Sequence, residues 1–120
     1  GMWLMLQNKE PEDFVLATGT TFSVKDFINH AFRHKGYNLR WTGGGGEEVA
    51  YDQNDIKRIK IDPKYYRPCE VELLLGDPTK AKKVLGWNPS DTSFEELIKI
   101  MVKHDMELVN KETTIKKFHD

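Results

Sequence analysis

The chain has 120 residues, 38% of them hydrophobic, and a formal net charge of −1. Length and composition point to one small domain, 1–120, with a modest core, and exclude a chain disordered by composition. The near-neutral charge gives no basis for non-specific nucleic-acid or anionic-membrane binding, and no apolar run approaches the ~20 residues a membrane helix needs.

Taken in order, Met2 to Gln7 is dense in large apolar residues and helix-compatible. It has no cap before it and reads as the end of a helix that begins earlier. Gly1 ahead of Met2 reads as a processing scar before an initiator methionine. Pro11 marks a turn. Phe14 to Thr18 is a short apolar run, expected to be a buried strand. Ser23 offers an N-cap with Asp26 three residues on, a variant of the capping box. Val24, Phe27, Ile28, Ala31 and Phe32 then follow at helical spacing, and Gly36 ends the helix. Asn38 to Thr42 is expected to be a second strand. Strand, helix and strand at this length predict a right-handed parallel crossover.

Gly43 to Gly46 lacks the Gly-Lys-Ser/Thr ending of a phosphate-binding P-loop and opens no amphipathic helix, so it reads as a mobile surface loop. Glu47 to Tyr51 and Arg58 to Asp62 are expected to pair as a hairpin. Asp77 is a candidate N-cap with Pro78 at the first helical position, and Thr79 to Leu85 a short helix closed by Gly86. Thr92 and Glu95 make a capping box for a last helix carrying Phe94, Leu97, Ile98, Met101 and Val102, expected to end near Val109. Residues 111–120 are expected to form a frayed polar tail. The fold class expected is α/β: a short parallel βαβ unit, a β-hairpin and C-terminal helices.

His30 and His34 have a spacing that zinc can use, but no further ligand is apparent, and a solvated helix face is the reading preferred; no metal is expected. Lys80, Lys82 and Lys83 read as a charged helix face, the other reading being a role near a diphosphate. Cys69, the single cysteine, excludes an internal disulfide and suits a reducing cytoplasm, where the protein is expected to reside. The segment Lys64-Tyr65-Tyr66-Arg67-Pro68-Cys69-Glu70-Val71 carries more chemistry. Pro68 fixes its own φ and holds Arg67 extended. Arg67 offers a planar fork suited to phosphate or carboxylate, and Glu70 can accept two hydroxyl hydrogen bonds. A plain ion pair within the loop is the competing reading.

Tyr-Tyr-Arg-Pro-x-Glu-Val, then Gly76-Asp77-x-x-Lys80-Ala81-Lys82, then Leu85-Gly86-Trp87-x-Pro89, resembles the C-terminal part of the GDP-mannose 4,6-dehydratase family, extended short-chain dehydrogenase/reductases. The resemblance runs from about Met2 to about Val109. The second and third motifs are shared by many nucleotide-sugar enzymes; Tyr65 to Val71 is the narrower signal and points to GDP-sugars. Two departures stand out. Cys69 replaces a more usual Thr, and Ala50-Tyr51 follows Glu48-Val49 in place of Gly-Arg.

The resemblance implies a lyase in nucleotide-sugar metabolism and GDP-fucose biosynthesis. In the intact family, NADP takes a hydride from C4 of the hexose, water is lost across C5 and C6, and the hydride returns at C6. GDP-mannose thus becomes GDP-4-dehydro-6-deoxy-mannose. By the same resemblance Arg67 would contact the GDP diphosphate and Glu70 the ribose hydroxyls, while Tyr65 and Tyr66 would flank the nucleotide or buttress the loop. The family's Rossmann domain, its dinucleotide turn and its Tyr-x-x-x-Lys pair are not found in this sequence: position i+4 is Trp41, Asp55, Cys69 and Glu70 after the four tyrosines in turn. The chain is therefore expected to be a substrate-binding fragment, with no catalytic residue, no bound NADP and no activity alone. Other readings are the C-terminal part of a GDP-4-dehydro-6-deoxy-mannose reductase, or a non-catalytic interaction module. A homo-oligomer is expected, with Trp3, Leu4 and Leu6 at the contact.

Overall fold

A computed structural model describes residues 1–67, 69 and 73–117. The chain forms two compact units. The first comprises Gly1–Phe22 with Glu70–Ser93, the second Ser23–Cys69 with Phe94–Asp120.

The first unit contains helix α1, Met2–Gln7. Its apolar side chains are largely in solvent: Met2, Trp3 and Leu6 are exposed, Leu4 and Met5 half-buried. Phe14 to Thr18 is not a strand. Val15 and Leu16 are exposed, and only Phe14 and Ala17 are half-buried. A short apolar run suits a strand only if an edge is available to pair with, and among the described residues of this unit there is none. The segment instead packs against Gly76, where a Cβ would come within 2.5 Å of the Ala17 Cβ. Lys80 also ties it down, with Nζ 3.0 Å from the Asp13 carbonyl, 3.1 Å from Glu12 Oε2 and 4.8 Å from the Phe14 ring centroid.

In the second unit, helix α2 spans Val24–His34. It begins where the sequence says, because the Ser23 hydroxyl accepts from the Asp26 amide (3.0 Å) and Asp26 accepts from the Ser23 amide (3.0 Å). It ends in a Schellman motif. The Tyr37 amide donates to the Phe32 carbonyl (3.0 Å), the Gly36 amide to Arg33 (2.9 Å), and Gly36 takes φ +79°. The Phe32 and Tyr37 rings close the motif edge to face at 6.1 Å.

Strands β1 (Arg40–Thr42), β2 (Val49–Tyr51) and β3 (Lys57–Lys60) form one antiparallel sheet in the order β1-β2-β3. The parallel crossover is thus overturned, since Phe14 to Thr18 supplies no strand and β1 pairs only with β2. The hairpin stands, with Val49 opposite Lys60 and Ala50 opposite Ile59. Its turn is organised by Asp52, whose buried carboxylate accepts from the amides of Asn54 (2.8 Å) and Ile56 (3.0 Å) and from Arg58 Nε (2.7 Å). Burial alone would raise the Asp52 pKa, but the hydrogen bonds from Arg58, Ile56 and Asn54 outweigh it and hold the carboxyl below its ordinary value.

Helix α3, Thr79–Leu85, lies in the first unit. It spans the residues expected, but Pro78 rather than Asp77 stands at the N-cap, while the Asp77 carboxylate accepts from the Thr79 amide (2.9 Å) and hydroxyl (2.5 Å). Gly86 ends it in the left-handed conformation. Helix α4, Phe94–Lys117, belongs to the second unit and runs past Val109. The Thr113 and Thr114 hydroxyls donate to the carbonyls one turn back, Val109 and Asn110, both at 2.8 Å, which gives these residues helical partners where fraying is expected. Ile98 of α4 and Ala50 of β2 are fully buried, and Phe94 meets Phe27 of α2 edge to face at 6.2 Å.

A candidate nucleotide-binding segment on a glycine platform

The hairpin register decides where the Tyr65-Tyr66-Arg67 segment goes. Because β2 and β3 run antiparallel, the chain leaving β3 emerges beside the chain entering β2, which is the glycine loop. The Ile61 amide continues the ladder to the Glu48 carbonyl (3.3 Å). The chain then turns back on itself. Asp62 Oδ1 accepts from the Lys64 amide (3.0 Å), the Tyr65 amide donates to the Asp62 carbonyl (3.0 Å) and the Tyr66 amide to Pro63 (3.4 Å).

These turns separate the roles of the two tyrosines. Tyr65 is 71% exposed and touches the Lys64 ammonium, 5.3 Å from its ring centroid. Tyr66 lies over the glycine loop. A Cβ placed on Gly46 would be 3.4 Å from Tyr66 Cγ and Cδ1, and one on Gly45 would be 3.3 Å from the phenolic oxygen. Tyr66 is thus the tyrosine that packs on the glycine loop. Arg67 follows directly and is exposed. The expected site residue Glu70 lies outside the described residues, as do Pro68 and Val71.

The loop beneath Tyr66 lies at the surface, as expected, and contains a defined turn. Gly45–Glu47 is a 3-10 turn closed by the Glu47 amide to the Gly44 carbonyl (3.2 Å). Gly43 at φ +82° approaches the Glu47 carbonyl so closely that a Cβ would lie 2.6 Å from its oxygen. At the far end Glu48 Oε1 receives Lys25 Nζ of α2 at 2.7 Å, and that ammonium also stands 4.7 Å from the Trp41 ring centroid. Trp41 Nε1 in turn donates to Asn29 Oδ1 (2.8 Å). Helix, strand and loop are therefore tied by one chain of polar contacts.

Two other expectations gain detail. His34 is exposed, as expected of a solvated face, while His30 is half-buried with its ring edge to face on Phe94 at 5.7 Å. It shares a small cavity with Arg33, His34 and Glu95, where the Arg33 charge disfavours a cation, and among the described residues no group of three or more metal-binding side chains is gathered. Lys80, Lys82 and Lys83 are all exposed, as expected of a charged helix face, and Lys80 is engaged with Glu12 and Asp13.

The residues present do not fit NADP. The only run of glycines opens into a three-residue 3-10 turn and strand β2, whereas a dinucleotide turn must open into a helix whose N-terminal amides meet the pyrophosphate.

Residues 1–101 match the family model described as GDP-mannose 4,6 dehydratase. The chain belongs to that family. It is 52% identical to GDP-mannose 4,6 dehydratase 2 of Caenorhabditis elegans, over 90% of this chain and 28% of that protein. The GDP-mannose 4,6 dehydratases of Dictyostelium discoideum and Homo sapiens are 50% and 49% identical, each over 90% of this chain and over 30% and 29% of their own lengths. The chain thus spans less than a third of each of these three relatives.

Proposed function

We propose that this chain is the part of a GDP-mannose 4,6-dehydratase that holds the nucleotide of GDP-mannose, the intact protein converting it to GDP-4-dehydro-6-deoxy-mannose with NADP held by residues outside this chain. The observation that carries the reading is the Tyr65-Tyr66-Arg67 segment, turned back over the glycine platform with Arg67 at its exposed end. Arg67 faces the diphosphate, its fork matching paired oxygens. Glu70 takes the ribose hydroxyls. Tyr65 flanks the nucleotide and Tyr66 supports the segment. The role of this part is binding: holding the remote nucleotide lets binding energy position the hexose for reaction elsewhere in the protein.

Calorimetric titration of the 120-residue chain with GDP and UDP tests this. GDP binds preferentially, with Kd in the ~millimolar range expected of an incomplete site, and Arg67→Ala abolishes binding. Binding unaffected by Arg67→Ala overturns the reading. The chain alone turns over no GDP-mannose, and conversion by the pure chain would show that it carries more than a binding role. The exposed apolar side chains of α1, Met2, Trp3 and Leu6, further support a homo-oligomer that covers them. Among the described residues, no helix is long and apolar enough to cross a membrane.

A further inference from the structure

Four consecutive glycines ahead of a strand cost conformational entropy on ordering, so an ordered turn built from them calls for a physical reason. Each glycine meets a different environment. Gly44 is open: a Cβ there would meet nothing within 4 Å. Gly43 is demanded by its positive φ and by the Glu47 carbonyl. Gly45 combines φ +57° with the Tyr66 hydroxyl, and Gly46 lies flat beneath the Tyr66 ring. The ring itself remains 44% exposed. It is therefore an aromatic side chain with one face set on backbone and its neighbour in sequence, Arg67, carrying the charge.

We propose that Gly45 and Gly46 are positioning residues for the nucleotide: their bare backbone seats the Tyr66 ring, and the seated ring fixes the direction of the Arg67 side chain. The proposal rests on the nucleotide-binding reading of Arg67 for its purpose, but not for its geometry. The platform is stiff enough for the task because it is anchored on both sides. Gly43 and the 3-10 turn hold its start, and the Lys25–Glu48 ion pair, which reaches Trp41 of β1 as well, holds its end. A phosphate-directing arginine on a loose loop loses affinity to the entropy of ordering it; one whose neighbour is already seated does not. The geometry also predicts a graded response. A methyl group on Gly46 falls at ordinary contact distance from the ring, whereas a branched side chain must lift it.

The test is nuclear magnetic resonance on the 120-residue chain, with and without GDP. In the wild type, Tyr66 ring protons give Overhauser contacts to the Gly45 and Gly46 α-protons, and the Arg67 Nε–H shows the heteronuclear Overhauser value of an ordered side chain. Gly44→Ala leaves both signals in place. Gly46→Val and Tyr66→Ala remove the contact and loosen Arg67, while Tyr66→Phe keeps both because the ring alone is the seat. GDP affinity follows in the same order, with Gly46→Val weakening it about tenfold and Gly44→Ala leaving it unchanged. Absence of the ring contacts in the wild type, or an Arg67 signal equally ordered in Gly46→Val and wild type, overturns the positioning role. Failure of Arg67→Ala to weaken GDP binding overturns the nucleotide reading instead, and the ligand-free measurements still decide whether the glycines order Arg67.

Discussion

Replacing Ile98 by alanine tests where the second unit keeps its core. Ile98 is fully buried on α4, whereas its neighbour Leu97 is 45% exposed. Ile98→Ala removes three carbons, each worth ~0.8 kcal/mol of transfer free energy, or about 2.4 kcal/mol before any cavity forms. The cavity adds to this, and buried Ile→Ala changes fall at ~2–5 kcal/mol. For a unit of this size each kcal/mol lowers Tm by ~4–8 °C, so a drop of about 10 °C or more is expected. Leu97→Ala loses only part of a side chain's burial and is expected to cost about 1 kcal/mol. Thermal unfolding followed by far-ultraviolet circular dichroism on both variants compares a core site with a surface site on the same helix turn. Helix propensity works slightly against the expected difference, since alanine gains more over β-branched Ile98 than over Leu97, by about a few tenths of a kcal/mol. Equal shifts for the two variants would refute the reasoning and mean that α4 does not bury the face carrying Ile98.

Three further outcomes are expected. Ser23→Ala removes the acceptor for the Asp26 amide and destabilises α2 by about 1 kcal/mol, read as a shift in the chemical-denaturation midpoint; an unchanged midpoint would show that the cap contributes nothing. Asp52 has a folded pKa below its ordinary value, because hydrogen bonds from Arg58, Ile56 and Asn54 outweigh the opposing effect of burial. Its stabilisation of the hairpin is therefore complete above the unfolded value of ~4 and is lost as the pH falls through the folded value. Amide exchange of β2 and β3 should lose protection over that acid range, less so in Asp52→Asn, and identical acid profiles for the two proteins would contradict the assignment. Light scattering after gel filtration at micromolar concentration should give an oligomeric mass, lowered by Trp3→Ser with Leu6→Ser; a monomeric wild type rules out burial of α1 between copies.

Local signals in the sequence were legible where the chemistry is local. Ser23 and Asp26 sit three apart, and the capping box forms between those residues. Gly36 follows the last helical turn and takes the one conformation that completes a Schellman motif. The stretch ending at Tyr51 and the run through Arg58 pair as expected. Phe14 to Thr18 failed because an apolar pentapeptide records only that it prefers burial or a sheet edge, and the choice lies with partners elsewhere in the chain. The end of α4 was placed too early for a related reason: a polar composition after Val109 does not reveal that Thr113 and Thr114 turn their hydroxyls back onto the helix. His30 was misplaced by its own helix. Judged from α2 alone it flanks the apolar stripe, and only Phe94, far off in sequence, gives that flank a packing partner.

The glycine platform shows how a non-local site could have been read from local signals already in hand. Pairing the residues before Tyr51 with those after Arg58 in an antiparallel hairpin places whatever precedes the first strand beside whatever follows the second. The residues preceding it are four glycines, and those following it lead through an Asp-Pro turn to two tyrosines and an arginine. Glycines that expose backbone, next to an aromatic ring that needs a surface, make a contact between Gly46 and Tyr66 the natural outcome of that register. Taken alone, the glycines indicate flexibility and the tyrosines indicate little. What the sequence does not carry is the choice between the tyrosines, because Tyr65 and Tyr66 differ only by one step along a turn. Asp62 and Pro63 make that choice: the bonds from the Lys64, Tyr65 and Tyr66 amides set the rotation of the turn, which sends Tyr65 to solvent and Tyr66 onto the glycines. The direction given to Arg67 therefore originates in a side-chain turn several residues upstream, in positions with no chemistry of their own to offer a nucleotide.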